Sequence, residues 1–393
     1  MTRLLAVMGS GETSPTMVTT HKALMAQPAV LLDTPFGFQE NADDIAAKAV
    51  EYFRESVRAK VEVASFRTGV MDPFVAEQVR AARWVFAGPG SPSYALRVWR
   101  DSAIPDLLAE KLSTDGCVVF ASAAALTVGV ATVPVYEVYK VGEEPRWLEG
   151  LDLLGSAVGL RAAVIPHYNN AEGGNHDTRY CYLGERRLRM LEASLPEGAF
   201  VLGVDEHTGL VLDLDAGSAR VVGLGGVTVR LDGASTVFPA GSELAIADLR
   251  PGREGALVAH IPAFREERDQ TASPLLETVA RLEAEFDAAL AADDGPGAVR
   301  AVLALEEELV AWSRDTLQSD EADRGRAALR SMIVRLGQPM RPVGPFVEAL
   351  LAQRAAAREA GRWADADALR DELVALGVEV NDSRQGTEWR LLS

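Results

Sequence analysis

A run of twenty-one residues without a charge leaves few folds open to this chain. The segment "GCVVFASAAALTVGVATVPVY", Gly116 to Tyr136, lies between Asp115 and Glu137. Its length would suffice for a membrane-spanning helix, which needs about 20 apolar residues. Its composition points elsewhere. Val118 and Val119 favour a strand, small residues then surround the Ser122 hydroxyl, and Gly129 and Pro134 interrupt what a span would keep helical. A short buried strand, a tight turn at Ser122 and the first turns of a helix packed on a sheet fit better. Such a turn exposes a nucleophile at the end of a strand.

The 393 residues are enough for two or three domains. A net charge of −18 keeps the protein in solution and repels polyanions and anionic membrane surfaces at long range. Nucleic-acid binding would therefore need a local basic patch. The opening "MTRLLAVMGSGETS" has too short an apolar patch for a secretory signal, so a cytoplasmic protein is expected. Cys117 and Cys181 form neither a disulfide framework nor a metal-ligand spacing, and no cofactor or metal is implied.

Up to about residue 210, strand-like and helix-like blocks alternate, the mark of a three-layer α/β domain whose mainly parallel sheet carries helices on both faces. The strands read "RLLAVMG", "AVLLDTP", "AKVEVASF", "RWVFAG", "RAAVIPHYNN", "FVLGVDE" and "GLVLDLD". The helices read "NADDIAAKAVEYFRESV", "YALRVWRDSAIPDLLAEKL" and "RYCYLGERRLRMLEASL". A Gly-rich and β-branched segment, 221–248, closes this domain (1–248) as hairpins. Residues 249–274 read as a linker. From Leu275 on, Ala, Leu, Glu and Arg recur at helical period, giving a helical domain at 275–340. The last module, 341–393, is a helical hairpin broken at Gly361 followed by two short strands around Gly386.

If Ser122 is a nucleophile, it needs a base, an acid to orient that base, and N–H donors for an oxyanion. His167 in "VIPHYNN" directly follows a buried strand and would sit on the same sheet edge, although a histidine after a proline also reads as a bonded turn residue. Glu206 in "LGVDEHTG" and Glu137, fifteen residues after the serine, are the two choices for the acid. Backbone N–H groups of Ala123 and of the glycine turn at Gly90 or Ser91 would serve the oxyanion. The turn "GSGE" after the first strand lacks the full dinucleotide fingerprint and the P-loop lysine, so it makes a poor phosphate cradle.

The glycine turn at Gly88 to Ser91, "ASAAAL", "PHYNN" followed by "RYCYLGERRLRML", and "LGVDEHTGLVL" occur in the order seen in a family of serine peptidases. Over Leu4 to Asp248 the chain resembles that of alpha-aspartyl dipeptidase and cyanophycinase. The resemblance implies a class I glutamine amidotransferase-like fold, with Ser122 as nucleophile and His167 as base. The cyanophycinase branch makes Glu206 the third member, and the dipeptidase branch places its acid at Glu137. Where that family reads G-[TW]-S-A-G-[AS], this chain has Phe120, Ala121, Ser122, Ala123, Ala124 and Ala125. Phenylalanine at 120 needs room that glycine would not, so altered access or lost activity stays open. Asn169, Asn170, Glu172, His176, Asp177 and Arg179 are expected to line a pocket for a polar substrate; His176 with Asp177 as a metal pair is a remote option.

From Phe346 to Leu392 the chain resembles the tRNA-binding end of bacterial cysteinyl-tRNA synthetases, through "ADADALRDEL", "LG", "ND" and "GTEWR". The synthetase's nucleotide signature and zinc-ligand cysteines are absent, so aminoacylation is not expected. The resemblance implicates Trp389, Arg390, Arg354, Arg358 and Arg362 in contact with tRNA, where a tryptophan beside arginines can stack a base. Against this, residues 341–393 hold seven Arg and nine acidic residues, a net of −2. The module also reads as a packing or dimerisation unit with Trp389 in its core, and an oligomer is compatible with the sequence. Two functions follow. One is a serine-type hydrolase of a small peptide or amide, its tail supplying substrate context such as cysteinyl-tRNA. The other is a catalytically degenerate protein that binds tRNA or a protein partner. Glutamine amidotransfer is disfavoured because it uses a cysteine where Ser122 stands.

Overall fold

The computed structural model describes residues 2–70, 72–172, 176–252, 273–313, 315, 321–337, 344–375, 378–383 and 386–391. They divide into two compact units, Met1–Leu275 with Glu307–Ala322, and Leu276–Glu306 with Asp323–Ser393.

In the first unit, β1 (Arg3–Met8), β2 (Ala29–Leu32), β3 (Glu62–Ala64), β4 (Trp84–Ala87) and β5 (Gly116–Ala121) run parallel in the spatial order β1-β5-β4-β2-β3. Strands covered on both faces have no polar side, which is why their sequences are continuous apolar runs. All six residues of β5 are buried, and they alternate between two cores. Val118 and Phe120 join Leu5, Val7 and Trp99 on one face, while Cys117, Val119 and Ala121 join Ala6, Met8 and Phe86 on the other. The uncharged segment is thus a two-faced central strand followed by a buried helix, and no helix among the described residues is long and apolar enough to cross a membrane.

One face is covered by α1 (Val18–Leu24) and α2 (Ala42–Tyr52), through Leu24, Ala46, Ala49 and Tyr52. The other receives α3 (Pro73–Ala81), α4 (Pro92–Trp99), α5 (Ile104–Ser113), α6 (Ser122–Thr127) and α7 (Leu153–Val158). The sequence reads α4 and α5 as one helix. They are two, because Pro105 fits the first turn of a new helix and not the interior of an old one.

The second half of this unit is less parallel than the sequence suggests. A two-residue ribbon pairs β6 (Ala131–Thr132) with β7 (Leu148–Glu149). Strand β8 (Ala162–Ile165) pairs in parallel with β9 (Phe200–Val204) in a separate sheet. Two antiparallel strands, β10 (Thr208–Asp213) and β11 (Ser218–Gly223), return to extend the large sheet from β1. The hairpin of β12 (Gly226–Leu231) and β13 (Ala234–Pro239) joins β9, and β14 (Glu243–Ala245) pairs with β11. The closing β segment is therefore shared between two sheets. The strand before His167 is not in the sheet of β5, as a shared sheet edge would require, but belongs to the four-stranded sheet β13-β12-β9-β8.

Helix α8 (Gly184–Glu192) starts five residues later than the periodicity from Arg179 indicates. Tyr180, Cys181 and Tyr182 adopt φ of 62°, 56° and 66°, left-handed values that no right-handed helix accommodates.

The second unit takes α9 (Pro274–Ala291), the first part of α10 (Gly295–Trp312), α11 (Glu321–Leu336), α12 (Gly344–Glu359), α13 (Trp363–Ala375), and the antiparallel hairpin of β15 (Val378–Ser383) and β16 (Gly386–Leu391). Gly361, at φ 72°, ends α12 as the sequence requires. Val347, Leu373, Val378 and Val380 form the core of this hairpin module, with Trp389 half-buried against it. The sequence divides the chain at 274/275 and 340/341. In the structure residues 307–322 group with the first unit, because Trp312 packs edge-on against His207 and Asp315 accepts a hydrogen bond from Thr13 at 2.8 Å. Of the expected linker, residues 253–272 lie outside the described residues.

Candidate active site

Ser122 stands at the bend between β5 and α6. Ala121 before it is extended, whereas Ser122 itself has φ 49°. A non-glycine residue rarely holds that conformation, and strain of this kind concentrates at functional sites. Its Oγ lies 3.0 Å from His167 Nε2. His167, also left-handed at φ 48°, follows β8, and its Nδ1 lies 2.8 Å from Glu206 Oε1. Glu206 follows β9, the parallel neighbour of β8, so adjacent strands deliver base and acid to one edge.

Glu206 is fixed by two further contacts, one to its carboxylate and one to its backbone. Asn170 Nδ2 donates to Oε1 at 3.1 Å, and Asn169 Oδ1 accepts the Glu206 backbone N–H at 2.8 Å. The glycines of "GSGE" make room for this turn. A β-carbon on Gly9 would lie 1.9 Å from Asp205 O, and one on Gly11, whose φ is +62°, would lie 2.3 Å from His207 Nδ1. The space a phosphate would need in that turn is filled by residues 205–207.

Ionisation follows from these contacts. Burial opposes a charge on His167, but the hydrogen bond and charge of Glu206, with Glu12 and Glu172 behind them, hold its pKa above the usual imidazole value. Burial likewise opposes ionisation of Glu206; His167, Asn170 and His207 outweigh it and keep the carboxyl below its ordinary range. An ionised Glu206 only accepts, so the proton sits on Nδ1 and Nε2 is left to accept from the Ser122 hydroxyl.

Phe120, where the family pattern has glycine, turns into the core against Trp99, with ring centroids 5.6 Å apart. Ala124 donates its N–H to Gly88 O at 3.1 Å, tying the serine bend to the neighbouring glycine turn. Ala123 is the second residue of α6, so its N–H has no intrahelical acceptor and is open to an oxyanion. Gly90, at φ 138°, is obligatory, since a β-carbon there would lie 2.0 Å from Pro35 O. The Ser91 N–H is already bound to that same Pro35 O at 2.8 Å, which removes it from the expected donors and leaves Gly90.

Glu137 is not at His167. Its Oε1 accepts from Ser93 Oγ, and Ser93 in turn meets Ser91 Oγ at 3.0 Å. The expected pocket residues are also differently employed. Asn169 and Asn170 serve Glu206, and Asn170 is wholly buried. Glu172 is exposed and accepts from the Tyr182 hydroxyl at 2.8 Å. Arg179 is gripped by Asp177 through two hydrogen bonds, 2.8 and 2.9 Å, and Asp177 also takes the Glu185 N–H. That engages the two side chains with one another. His176 is exposed, while residues 173–175 lie outside the described residues. No group of three or more potential metal ligands gathers among the described residues.

In the second unit, each arginine singled out for RNA has a partner within the chain. Arg354, nearly buried, forms two hydrogen bonds to Asp382 at 2.9 and 2.7 Å, and Arg358 adds one at 3.0 Å. Arg362 pairs with Asp365, and Arg390 with Glu379. These pairs tie α12 to the hairpin and offer little free positive charge.

Two features escaped the sequence. Buried Arg230 binds Glu185 and Glu192 at 2.8 Å each and lies over the Tyr180 ring, bracing the left-handed turn whose Cys181 N–H bonds His167 O. Glu12, the acid of "GSGE", is fully buried with neither carboxyl oxygen hydrogen-bonded among the described residues. An acid enclosed between glycines and a buried strand was the available signal.

Comparison with known proteins divides along the chain. Residues 343–390 match the family model of the cysteinyl-tRNA ligase anticodon binding domain. The cysteine–tRNA ligase of Beutenbergia cavernae is 40% identical over 111 residues, 24% of this chain and 23% of that one. That of Kocuria rhizophila is 51% identical over 57 residues, 14% of this chain and 12% of that one. The chain thus spans a quarter or less of the length of these curated relatives. Among solved structures, a peptidase from an acI-B1 Actinobacterium superposes with a TM-score of 0.51 at 19% identity, covering 62% of this chain and 97% of that one. The chain therefore joins a region of peptidase-like fold to a module of the anticodon-binding type.

Proposed function

We propose that the first unit is a cytoplasmic serine-type hydrolase of a small peptide or amide, working through an acyl-enzyme. Ser122 Oγ attacks the carbonyl carbon as its proton passes to His167 Nε2, and Glu206 holds Nδ1–H and stabilises the imidazolium. The Ala123 and Gly90 N–H groups receive the oxyanion. The intermediate collapses as His167 returns the proton to the leaving nitrogen. A water molecule then gives its proton to His167 and hydrolyses the ester on Ser122, which regains its proton. The observation that carries this reading is the unbroken line Ser122–His167–Glu206, with both hydrogen bonds at 3.0 Å or less and the serine in a strained bend.

A fluorophosphonate probe tests it. The reading expects labelling of the wild type and none of Ser122→Ala, whose turnover falls by up to about a million-fold. Absence of labelling in the wild type would leave a binding protein. The C-terminal module is read as a tRNA contact that brings the hydrolase to its substrate. Its affinity should be weak, because the arginines are paired, and should fall as salt rises. Retention of tRNA on a filter at low salt measures this, and no retention at any salt would reduce the module to a packing unit.

A further inference from the structure

Glu12 is a buried ionisable group for which the triad leaves no use. Enclosing a carboxyl without a hydrogen bond is unfavourable in apolar surroundings. Its location is specific. A β-carbon on Gly88 would lie 3.3 Å from Glu12 Oε1, and Gly88 O is the acceptor for the Ala124 N–H, two residues beyond Ser122. The carboxyl therefore lies under the two turns that hold the nucleophile and the oxyanion donors.

The groups facing it come from four elements. The charges of His167, at the end of β8, and of Asp315, beyond α10, act on its ionisation in opposite directions, the first lowering and the second raising its pKa. Asp315 accepts the Thr13 hydroxyl at 2.8 Å. Tyr52 of α2 feels both acids, and its hydroxyl donates to Ser14 O at 3.2 Å. His21 of α1 binds the Glu12 carbonyl through Nε2 at 2.7 Å, and burial drops its pKa to about 4, so it stays neutral. Beyond His167 stands Glu206, already committed to Nδ1. Among these, His167 is the group that acquires a positive charge during catalysis.

We propose that Glu12 is a positioning residue acting through His167, its ionised carboxylate favouring the imidazolium that forms when Ser122 surrenders its proton. The inference rests on the hydrolase reading. Burial, with Asp315 adding repulsion, pushes the Glu12 carboxyl up to about 7, so the assistance is present at alkaline pH and withdrawn at acid pH.

Glu12→Gln keeps the shape and removes the charge. The rate constant for fluorophosphonate labelling of Ser122 should match the wild type at pH 5.5 and fall roughly tenfold below it at pH 8.5, as expected when a general base loses a favourable charge. An equal loss at both pH values would mark a structural role and overturn the proposal. A second readout needs no reaction. In protein carrying ring-15N histidine, the His167 signal, identified by its loss in His167→Asn, should titrate at lower pH in Glu12→Gln than in the wild type; an unmoved titration overturns the proposal. A shifted titration in a protein that takes no label would sink the hydrolase reading and keep the coupling. Should Glu12→Gln not fold, Asp315→Asn serves instead. Removing the neighbouring acid should move the His167 titration and the acid limb of labelling, and unchanged profiles refute the coupling.

Discussion

The enclosed carboxyl of Glu12 makes a thermodynamic prediction independent of any reaction. Folding raises it from the ordinary 4.5 to about 7. At about 1.4 kcal/mol per pH unit this corresponds to roughly 3 kcal/mol. The sign follows from proton binding: between those two values the folded chain holds a proton that the unfolded chain has released. The wild type is therefore favoured at low pH, and the contribution is lost as pH rises through about 7. Integrated between pH 5 and pH 8, the loss is roughly 2–3 kcal/mol. Glu12→Gln has no such titration. Its stability relative to the wild type should thus rise by that amount from pH 5 to pH 8, whatever fixed penalty the buried amide carries at both. For a unit of this size that is about 5–10 °C in the melting temperature. Thermal unfolding of both proteins at the two pH values, followed by near-ultraviolet circular dichroism, measures the difference. A mutant-minus-wild-type gap that stays constant with pH, or shrinks towards pH 8, would refute the reasoning.

Other outcomes follow from the same geometry. Glu206→Gln should slow Ser122 labelling on the order of 10⁴-fold by losing control of the His167 tautomer, while Glu137→Gln, bound to Ser93, should slow it less than tenfold; equal losses would reassign the acid. Because Glu206 holds the His167 pKa above its usual value, labelling should decline on the acid side from a pH above 6.5, and a limb at or below 6.5 would contradict that coupling. Arg230→Ala strands Glu192 without its countercharge and should cost about 3–5 kcal/mol in the unfolding of the first unit; a loss under about 1 kcal/mol would show the cluster to be dispensable. Asp382→Ala leaves the nearly buried Arg354 unpaired, and hydrogen exchange at β15 and β16 should accelerate as the hairpin loosens; unchanged exchange would free those arginines for another role.

The bend at Ser122 was readable because both signals are local. A two-faced apolar strand and a change to small residues lie within ten positions. The helix breaks at Pro105 and at Tyr180–Tyr182 were not read, the first because an apolar period continued across it. The second was hidden because left-handed tyrosines are held by distant partners, Arg230 and His167 among them, that a local window does not contain. The partners of Asn169 and Asn170 were hidden for a related reason. A polar side chain after a strand has the same signature whether it faces a ligand or another part of the chain; here Asn170 donates to the Glu206 carboxylate and Asn169 accepts the Glu206 backbone N–H.

The sequence by itself determined the elements, the strained serine and the histidine that could serve it, since period, residue size and turn chemistry act over a few positions. Only the tertiary structure decided the acid. Glu137 and Glu206 are equally acidic in sequence, and β9 pairing beside β8, 38 residues away in register, carries Glu206 and not Glu137 to the imidazole. Pairing between distant strands also enclosed Glu12 beneath that turn, and burial is a property of what surrounds a residue, which no single stretch of chain encodes.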